Sequence, residues 1–412
     1  MQQRIVGVSR VYPRPNRPDC GVYAHELYSE MARQGAEVSV IAPYPLTRTV
    51  IERLRGTSES NTASAQPLLS HVYRPSRWSW SSRVAPWPSA QRANFGSLSR
   101  SVQHAARWLP TPDWISAYFF DAGCAALNAF GKNVPVYVEI GESNFRAYEQ
   151  FMSPSEIGSW LSQFAGVIAV SKPNLELIQH YADLGETAVC LENGVDTSRF
   201  KPNDRMQARA SLGLPQDAFI VGFTGAFIER KGPLRLLAAL ERTSDAFGLF
   251  MGRGSETPRG KRVLHAAPVS NDRLPAMLVA CDVFCLPSLA EGLSVAVLEA
   301  AACGLPLVVS DRSFNTTFLD DRQALFVDPL SPESIAEAIR FLMASPAKRQ
   351  EMAVACRQVA EDHSLAHRVT RLFEVVSSRG QHGDEDVAHD LLPMPPHDDT
   401  WAQYHQGPLV GR

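Results

Sequence analysis

The stretch 280–310, ACDVFCLPSLAEGLSVAVLEAAACGLPLVVS, constrains this chain more than any other. Two short apolar runs, 282–287 and 305–310, lack the alternation of a half-solvated strand and read as strands covered on both faces of a parallel sheet. Between them Val295, Leu298 and Ala302 fall on one face of a helix over 292–303, and Gly304 suits a left-handed C-cap. Strand, loop, helix and strand make a βαβ unit. In open α/β sheets a ligand sits where strand C-ends meet helix N-termini, and the loop 288–294 is at that address.

Two glutamates bracket the helix start, Glu291 and Glu299, with seven residues between them. The backbone N–H groups of Gly292, Leu293, Ser294 and Val295 are the unpaired donors of a helix N-terminus and can hold phosphate oxygens. Carboxylates repel phosphate, so the two acids must address hydroxyls. A ligand with phosphate in its middle and hydroxylated rings at both ends satisfies both demands, and a nucleotide sugar is such a molecule.

The string PSLAEGLSVAVLEAAACGLPLVVS resembles the E-x7-E signature of family 4 of the retaining GT-B glycosyltransferases, including the CGLP that follows it. The resemblance implies an α/β chain with two doubly wound Rossmann-like domains facing across a cleft. It implies a donor site mainly in the second domain, an acceptor site in the first, and transfer of a hexose or related sugar from a nucleotide-diphosphate sugar with retention of configuration. Glu291 would then bind donor-sugar hydroxyls and Glu299 the nucleotide ribose.

Composition agrees with an ordinary globular protein: 412 residues, 45% hydrophobic and 20% charged, enough for two or three domains. A net charge of −3 argues against a general nucleic-acid binder. The seven cysteines form no C-x-x-C pair and read as reduced core residues of a cytosolic protein. No apolar run is long enough to span a membrane, and the N-terminus lacks a signal peptide's apolar region. The expected location is cytoplasmic, with at most a peripheral contact on the inner face of an anionic membrane.

In chain order, 5–9 is a first strand, followed by a proline-broken loop to Cys20, a helix from Val22 to Gln34 and a second strand at 37–43. By resemblance Gly21, in the loop before that helix, faces the donor phosphates across the cleft. Between 44 and 110 nine arginines stand against two acids, Glu52 and Glu59, with Trp78, Trp80, Trp87 and Trp108 among them. That mixture suits an anionic membrane interface, an acceptor carrying phosphate, or a long insertion whose arginines are merely solvated. Strands at 114–120, 134–140, 166–170 and 188–193 complete a first domain over 1–200, and Gly194 reads as a tight turn at its boundary.

The second domain, 201–379, opens with a strand at 219–224 and the loop GAFIERKG, in which Gly225 and Lys231 are placed to meet a diphosphate. It resembles the family's G-R-x4-K-G loop, with Ala226 where the family has arginine; the neighbouring Arg230 is the nearest substitute. Together with the loop amides, Lys231 would act on the charge that builds as the glycosidic bond opens, without a metal or other cofactor. From Gly380 six acids face Arg412 alone, which reads as a disordered acidic tail.

Many relatives aim a histidine at the transferred sugar, but VEIGESNF has none here, leaving Glu142 and Asn144 as polar replacements and His25 on the first helix as a third sugar- or acceptor-facing group. The acceptor class stays open between a glycan, a lipid-linked sugar and a small molecule; GVYAHEL and VYVEIGES look similar to enzymes building bacterial surface polysaccharides. Ala226 and the absent histidine keep a non-catalytic nucleotide-sugar-binding scaffold as the alternative, and a sugar-nucleotide epimerase behind it.

Overall fold

The computed structural model describes residues 2–14, 20–45, 69–77, 88–142 and 144–381. The expectation for the acidic tail beyond 381, and those for Trp78, Trp80, Trp87 and the arginines at 48, 53, 55 and 83, fall outside the described residues.

Two all-parallel sheets carry the chain. The first is ordered His71–Tyr73, Glu37–Ile41, Arg4–Ser9, Trp114–Tyr118, Val136–Ile140, Gly166–Ala169, Ala188–Cys190. The second is ordered Val263–Ala267, Ala246–Met251, Phe219–Thr224, Val283–Leu286, Leu307–Ser310, Ala324–Val327. In each, the chain starts in the interior, winds outward one way, then returns and winds the other way. The reversal in the first sheet lies between Arg4–Ser9 and Trp114–Tyr118, in register from Ile5↔Trp114 to Ser9↔Tyr118. In the second it lies between Phe219–Thr224 and Val283–Leu286. Diverging loops open a crevice at such a point, so the loops after Thr224 and after Leu286 share one crevice mouth.

The apolar runs form strands because both faces are covered. Phe223, Phe250, Phe284 and Leu298 pack in the core of the second sheet, each buried completely, and each such side chain contributes on the order of 1.5–3 kcal/mol by leaving water. The first sheet has a core on either face, one around Val138, Phe120 and Leu161 and one around Leu27, Tyr28 and Trp114.

Three features depart from the sequence reading. The arginine-rich insertion contains a helix, Pro88–Ala106, whose Leu98, Val102 and Ala105 are buried in the first sheet's core. The last helix, Leu365–Gln381, returns to the first sheet and lays Leu365, Val369, Leu372 and Val376 against Trp114, Tyr137 and Ile168. Arg368 on that helix pairs with Glu139 at 2.6 Å, both almost wholly buried. Finally, Gly194 marks a crossing of two chain segments: a Cβ there would lie 2.7 Å from Leu365 Cα, while Val195 donates its N–H to His363 O and accepts from Leu365 N, both at 2.9 Å.

Candidate active site

The helix that follows Glu291 runs Val295–Ala302 with Ser294 as N-cap, and no side chain caps it. Its first bonds to backbone run from Val297 and Leu298 to Ser294 O. The N–H groups of Gly292, Leu293, Ser294, Val295 and Ala296 have no acceptor among the described residues. An anion is favoured at such a terminus because the donors and the helix dipole point the same way.

Both carboxylates are buried beside this terminus. Glu291 stands with Lys231 Nζ 2.5 Å from Oε1 and Arg230 Nη1 3.4 Å from Oε2. Burial would raise its pKa, but the charges of Lys231 and then Arg230 outweigh burial and hold it below the usual carboxylate value. Glu291 thus faces two cations, Lys231 on one oxygen and Arg230 on the other. Glu299, one side of the helix further in, is 7% exposed. Burial, then the charge of Glu26, pushes its pKa up to about 8, with Arg199 opposing.

The cation loop reaches this place through the crevice at the strand reversal. Gly225 at φ 150° follows the strand Phe219–Thr224, a short 3-10 turn covers Glu229–Lys231, and Gly232 at φ 76° starts the helix Pro233–Glu241. Leu289 donates its N–H to Arg230 O at 2.8 Å, and the Arg230 guanidinium donates to Ala290 O, which ties the two loops together. Ala226, in the position where the resembled loop has arginine, is exposed.

The first sheet closes the other side. A Cβ on Gly292 would lie 3.0 Å from Gly141 O and 3.5 Å from Asn174 Nδ2. Glu142, next along, accepts on Oε1 from Phe120 N at 2.7 Å and Tyr148 O–H at 3.0 Å, while Oε2 is buried without a partner. Burial raises its pKa to about 7. Asn144 is exposed at the start of a 3-10 turn, apart from this network.

His25 receives or donates at Nδ1 to Tyr12 O–H, 2.8 Å away, and burial with the charges of Arg33, Arg74 and Arg199 lowers its pKa to about 4, so it is neutral. Gly21 is left-handed, φ 71°, and a Cβ there would sit 2.3 Å from Val11 O; the glycine lets the first loop fold over the helix start.

Four residues that the sequence reading passed over join the site. Glu26, one residue after His25, is ion-paired with Arg199, and Arg199 Nη2 reaches Asn271 Oδ1 at 2.5 Å. This group joins the first helix to the second half of the chain beside Glu299. Asn193 donates from Nδ2 to Leu293 O at 3.0 Å, fixing the helix-start loop from below. Both Asn193 and Arg199 lie in LENGVDTSRF, which the sequence reading treated only as a boundary.

Among the described residues no group of three or more His, Cys, Asp or Glu is placed to hold a metal ion, and no helix is long and apolar enough to cross a membrane.

Comparison with known proteins finds likenesses over part of the sequence and over most of the fold. Residues 204–359 match the family described as Glycosyl transferases group 1. TuaC of Bacillus subtilis, named for a glycosyltransferase of teichuronic acid biosynthesis, is 26% identical over 361 residues, covering 82% of this chain and 88% of that protein. A D-inositol 3-phosphate glycosyltransferase of Rhodococcus opacus is 28% identical over 221 residues, 48% of this chain and 50% of its own length. Among solved structures, sucrose-phosphate synthase from Thermosynechococcus elongatus superposes with a TM-score of 0.71 at 18% identity, over 92% of this chain and all of that one. Anabaena HepE in complex with UDP-glucose superposes with 0.67 at 17% over the same shares. Residues 204–359 thus carry the likeness to the group 1 glycosyl transferases, and the chain as a whole has the GT-B fold of the solved structures it superposes on.

Proposed function

We propose that this chain is a family 4 enzyme that transfers a sugar from a nucleotide-diphosphate sugar, with retention of configuration, to an acceptor bound against the first sheet. One observation carries the reading: five unpaired N–H groups at the start of Val295–Ala302 lie between two buried carboxylates, with Lys231 at the same helix start.

The donor diphosphate would lie on those amides, its ribose toward Glu299 and its sugar toward Glu291. As the glycosidic bond breaks, negative charge grows on the departing phosphate, and donors fixed in advance stabilise that charge more than the ground state. Lys231 supplies the cation, and the Glu291 carboxylate, 2.5 Å away, orients it. With these groups in place the reading requires no metal. Glu142, whose free oxygen is buried near the contact of Gly141 with Gly292, supplies the polar face on the acceptor side.

The UDP and UDP-glucose complexes of HepE are consistent with a nucleotide-sugar donor. Teichuronic acid synthesis, in the name of TuaC, favours a glycan or lipid-linked acceptor in surface polysaccharide assembly. Exposed Trp108, at 71% exposure, fits a peripheral contact with anionic membrane.

The test is nucleoside diphosphate release from a panel of nucleotide sugars, with and without acceptor, and the anomeric configuration of the product by NMR. Acceptor-dependent release with the configuration kept supports the reading. Inversion, or release of no nucleotide from any donor, overturns it.

A further inference from the structure

The mouth of the first sheet holds more positive charge than its acids balance. Arg10 and Arg14 follow the strand Arg4–Ser9, and Arg74 and Arg77 follow His71–Tyr73. This is the mouth of the first sheet, where the chain leaves the parallel strands Arg4–Ser9 and Trp114–Tyr118 toward opposite edges.

Arg10 Nε is 2.8 Å from Asp121 Oδ2, and its guanidinium lies 5.2 Å from the Phe119 ring centroid. Arg14 stacks at 4.5 Å on Tyr44. Arg74 Nη2 donates to Pro13 O at 2.9 Å. Arg77 is partly buried, with Arg10 and Arg14 repelling it and Asp121 attracting it. Asp121 is ion-paired with Arg10 and attracts Arg77, one acid beside a cluster of four guanidinium groups.

Two donors are left over: Arg14 Nη1 and Arg77 Nε are buried and have no acceptor among the described residues. A buried cationic N–H without an acceptor is costly, and an incoming anion relieves it with a short charge-assisted bond. The recess between Arg10, Tyr12, Arg14, Tyr44 and Arg74 has a free volume of about 10 Å³. That is room for one oxygen atom, so a larger anion would insert an edge and rest the remainder at the mouth. Tyr12 also bonds His25, whose neighbour Glu26 reaches Arg199 beside Glu299, so the recess and the donor groups flank the same helix.

We propose that the acceptor carries a phosphate ester or diphosphate, seated by Arg10, Arg14, Arg74 and Arg77. The assignment rests on the reading of this chain as a sugar transferase working in the cleft. A phosphate suits the site better than a carboxylate, because it brings up to two negative charges and three acceptor oxygens to a net surplus of cations.

The experiment compares the full chain with Arg14→Gln/Arg77→Gln. Calorimetry measures inorganic phosphate binding with the donor site saturated by whichever of UDP, GDP or ADP raises Tm most. The expected result is phosphate binding weakened about tenfold or more in the variant, as for loss of one charge-assisted bond, with nucleotide affinity changed less than about twofold. Equal phosphate binding by both proteins, or none by wild type that binds nucleotide, overturns the proposal. Arginine-dependent phosphate binding without any nucleotide binding would instead overturn the donor reading, and the acceptor role with it.

Two further arms identify the source: inositol 3-phosphate, and vesicles carrying a polyprenyl diphosphate-linked N-acetylhexosamine. Arginine-dependent stimulation of nucleotide release by the first indicates a small polyol phosphate, and by the second a lipid carrier. Equal stimulation by unphosphorylated inositol or a neutral oligosaccharide contradicts the proposal.

Discussion

Lys231 Nζ lies 2.5 Å from Glu291 Oε1, so the first of the two signature acids is paired with a cation that holds its pKa below the usual carboxylate value in a buried site. Neither can be altered without changing the other. Removing the lysine charge should lower kcat by about 10²–10³, the usual cost of losing one preorganised donor at a developing charge. Lys231→Met is the informative variant, and Lys231→Glu should leave no measurable turnover. Steady-state nucleotide release checks this, with Tm alongside to show that each variant folds. A kcat near wild type in Lys231→Met would remove the lysine from the chemistry.

Glu299 gives the pH dependence. Burial and Glu26 raise its folded pKa to about 8, above the value of an unfolded glutamate, about 4.3. The protonated form is the one the fold favours, so stability is full at low pH, falls as pH rises from about 4 through about 8, and levels off above. Glu299→Gln stays neutral throughout. Its Tm should therefore gain on wild type as pH rises across that window, and parallel Tm curves would contradict the assignment.

The ribose role makes a separate demand on Glu299. An ionised carboxylate bonds hydroxyls more strongly than a neutral acid, so donor KM should fall as pH rises through about 8 in wild type. Glu299→Ala should raise donor KM about tenfold or more while the fold persists, by loss of charged hydrogen bonds. An unchanged KM removes the ribose contact.

Arg368 and Glu139 form the buried tie between the last helix and the first sheet. Arg368 also donates from Nε to Glu192 O at 2.8 Å. Arg368→Met strands a carboxylate in the core and should cost about 3–5 kcal/mol, whereas Glu139→Leu/Arg368→Met should recover most of that loss. Urea denaturation of the three proteins measures it. If the double variant is no more stable than the single, the pair is not the source of the cost.

At Gly194 the constraint is backbone against backbone. Gly194→Ala would force a Cβ to within 2.7 Å of Leu365 Cα, so the two crossing segments must part, at about 1–3 kcal/mol by analogy with overpacked cores. A Tm equal to wild type would show that the crossing is loose.

What could be read from the sequence follows from how local each signal is. Phe219–Thr224 and Leu307–Ser310 are continuous apolar runs between turn residues, and the strands fall within a residue or two of expectation. The helix start at Glu291 was legible because its donors, its cap and both acids lie within nine residues of sequence. The helix Pro88–Ala106 was missed: its buried face is built partly of Ser97, Ser99 and Ser101, so the apolar period is faint among arginines. The Glu139 partner lies 229 residues away, and nothing in VYVEI announces it. Gly194 looked like a turn because glycine fits one, whereas its neighbour is a segment that returns only after the whole second sheet.

The central claim is that a diphosphate rests on the start of the helix Val295–Ala302. A crystal structure of the protein soaked with the nucleoside diphosphate that raises Tm most tests this directly. The expected result is phosphate oxygens within hydrogen-bonding distance of the Gly292, Leu293, Ser294 and Val295 N–H groups, Lys231 turned onto them, and the ribose hydroxyls on Glu299. A nucleotide lodged instead in the cavity of about 450 Å³ at the N-terminal ends of the strands Val283–Leu286 and Leu307–Ser310, between Pro202, Cys303 and Arg349, would contradict it.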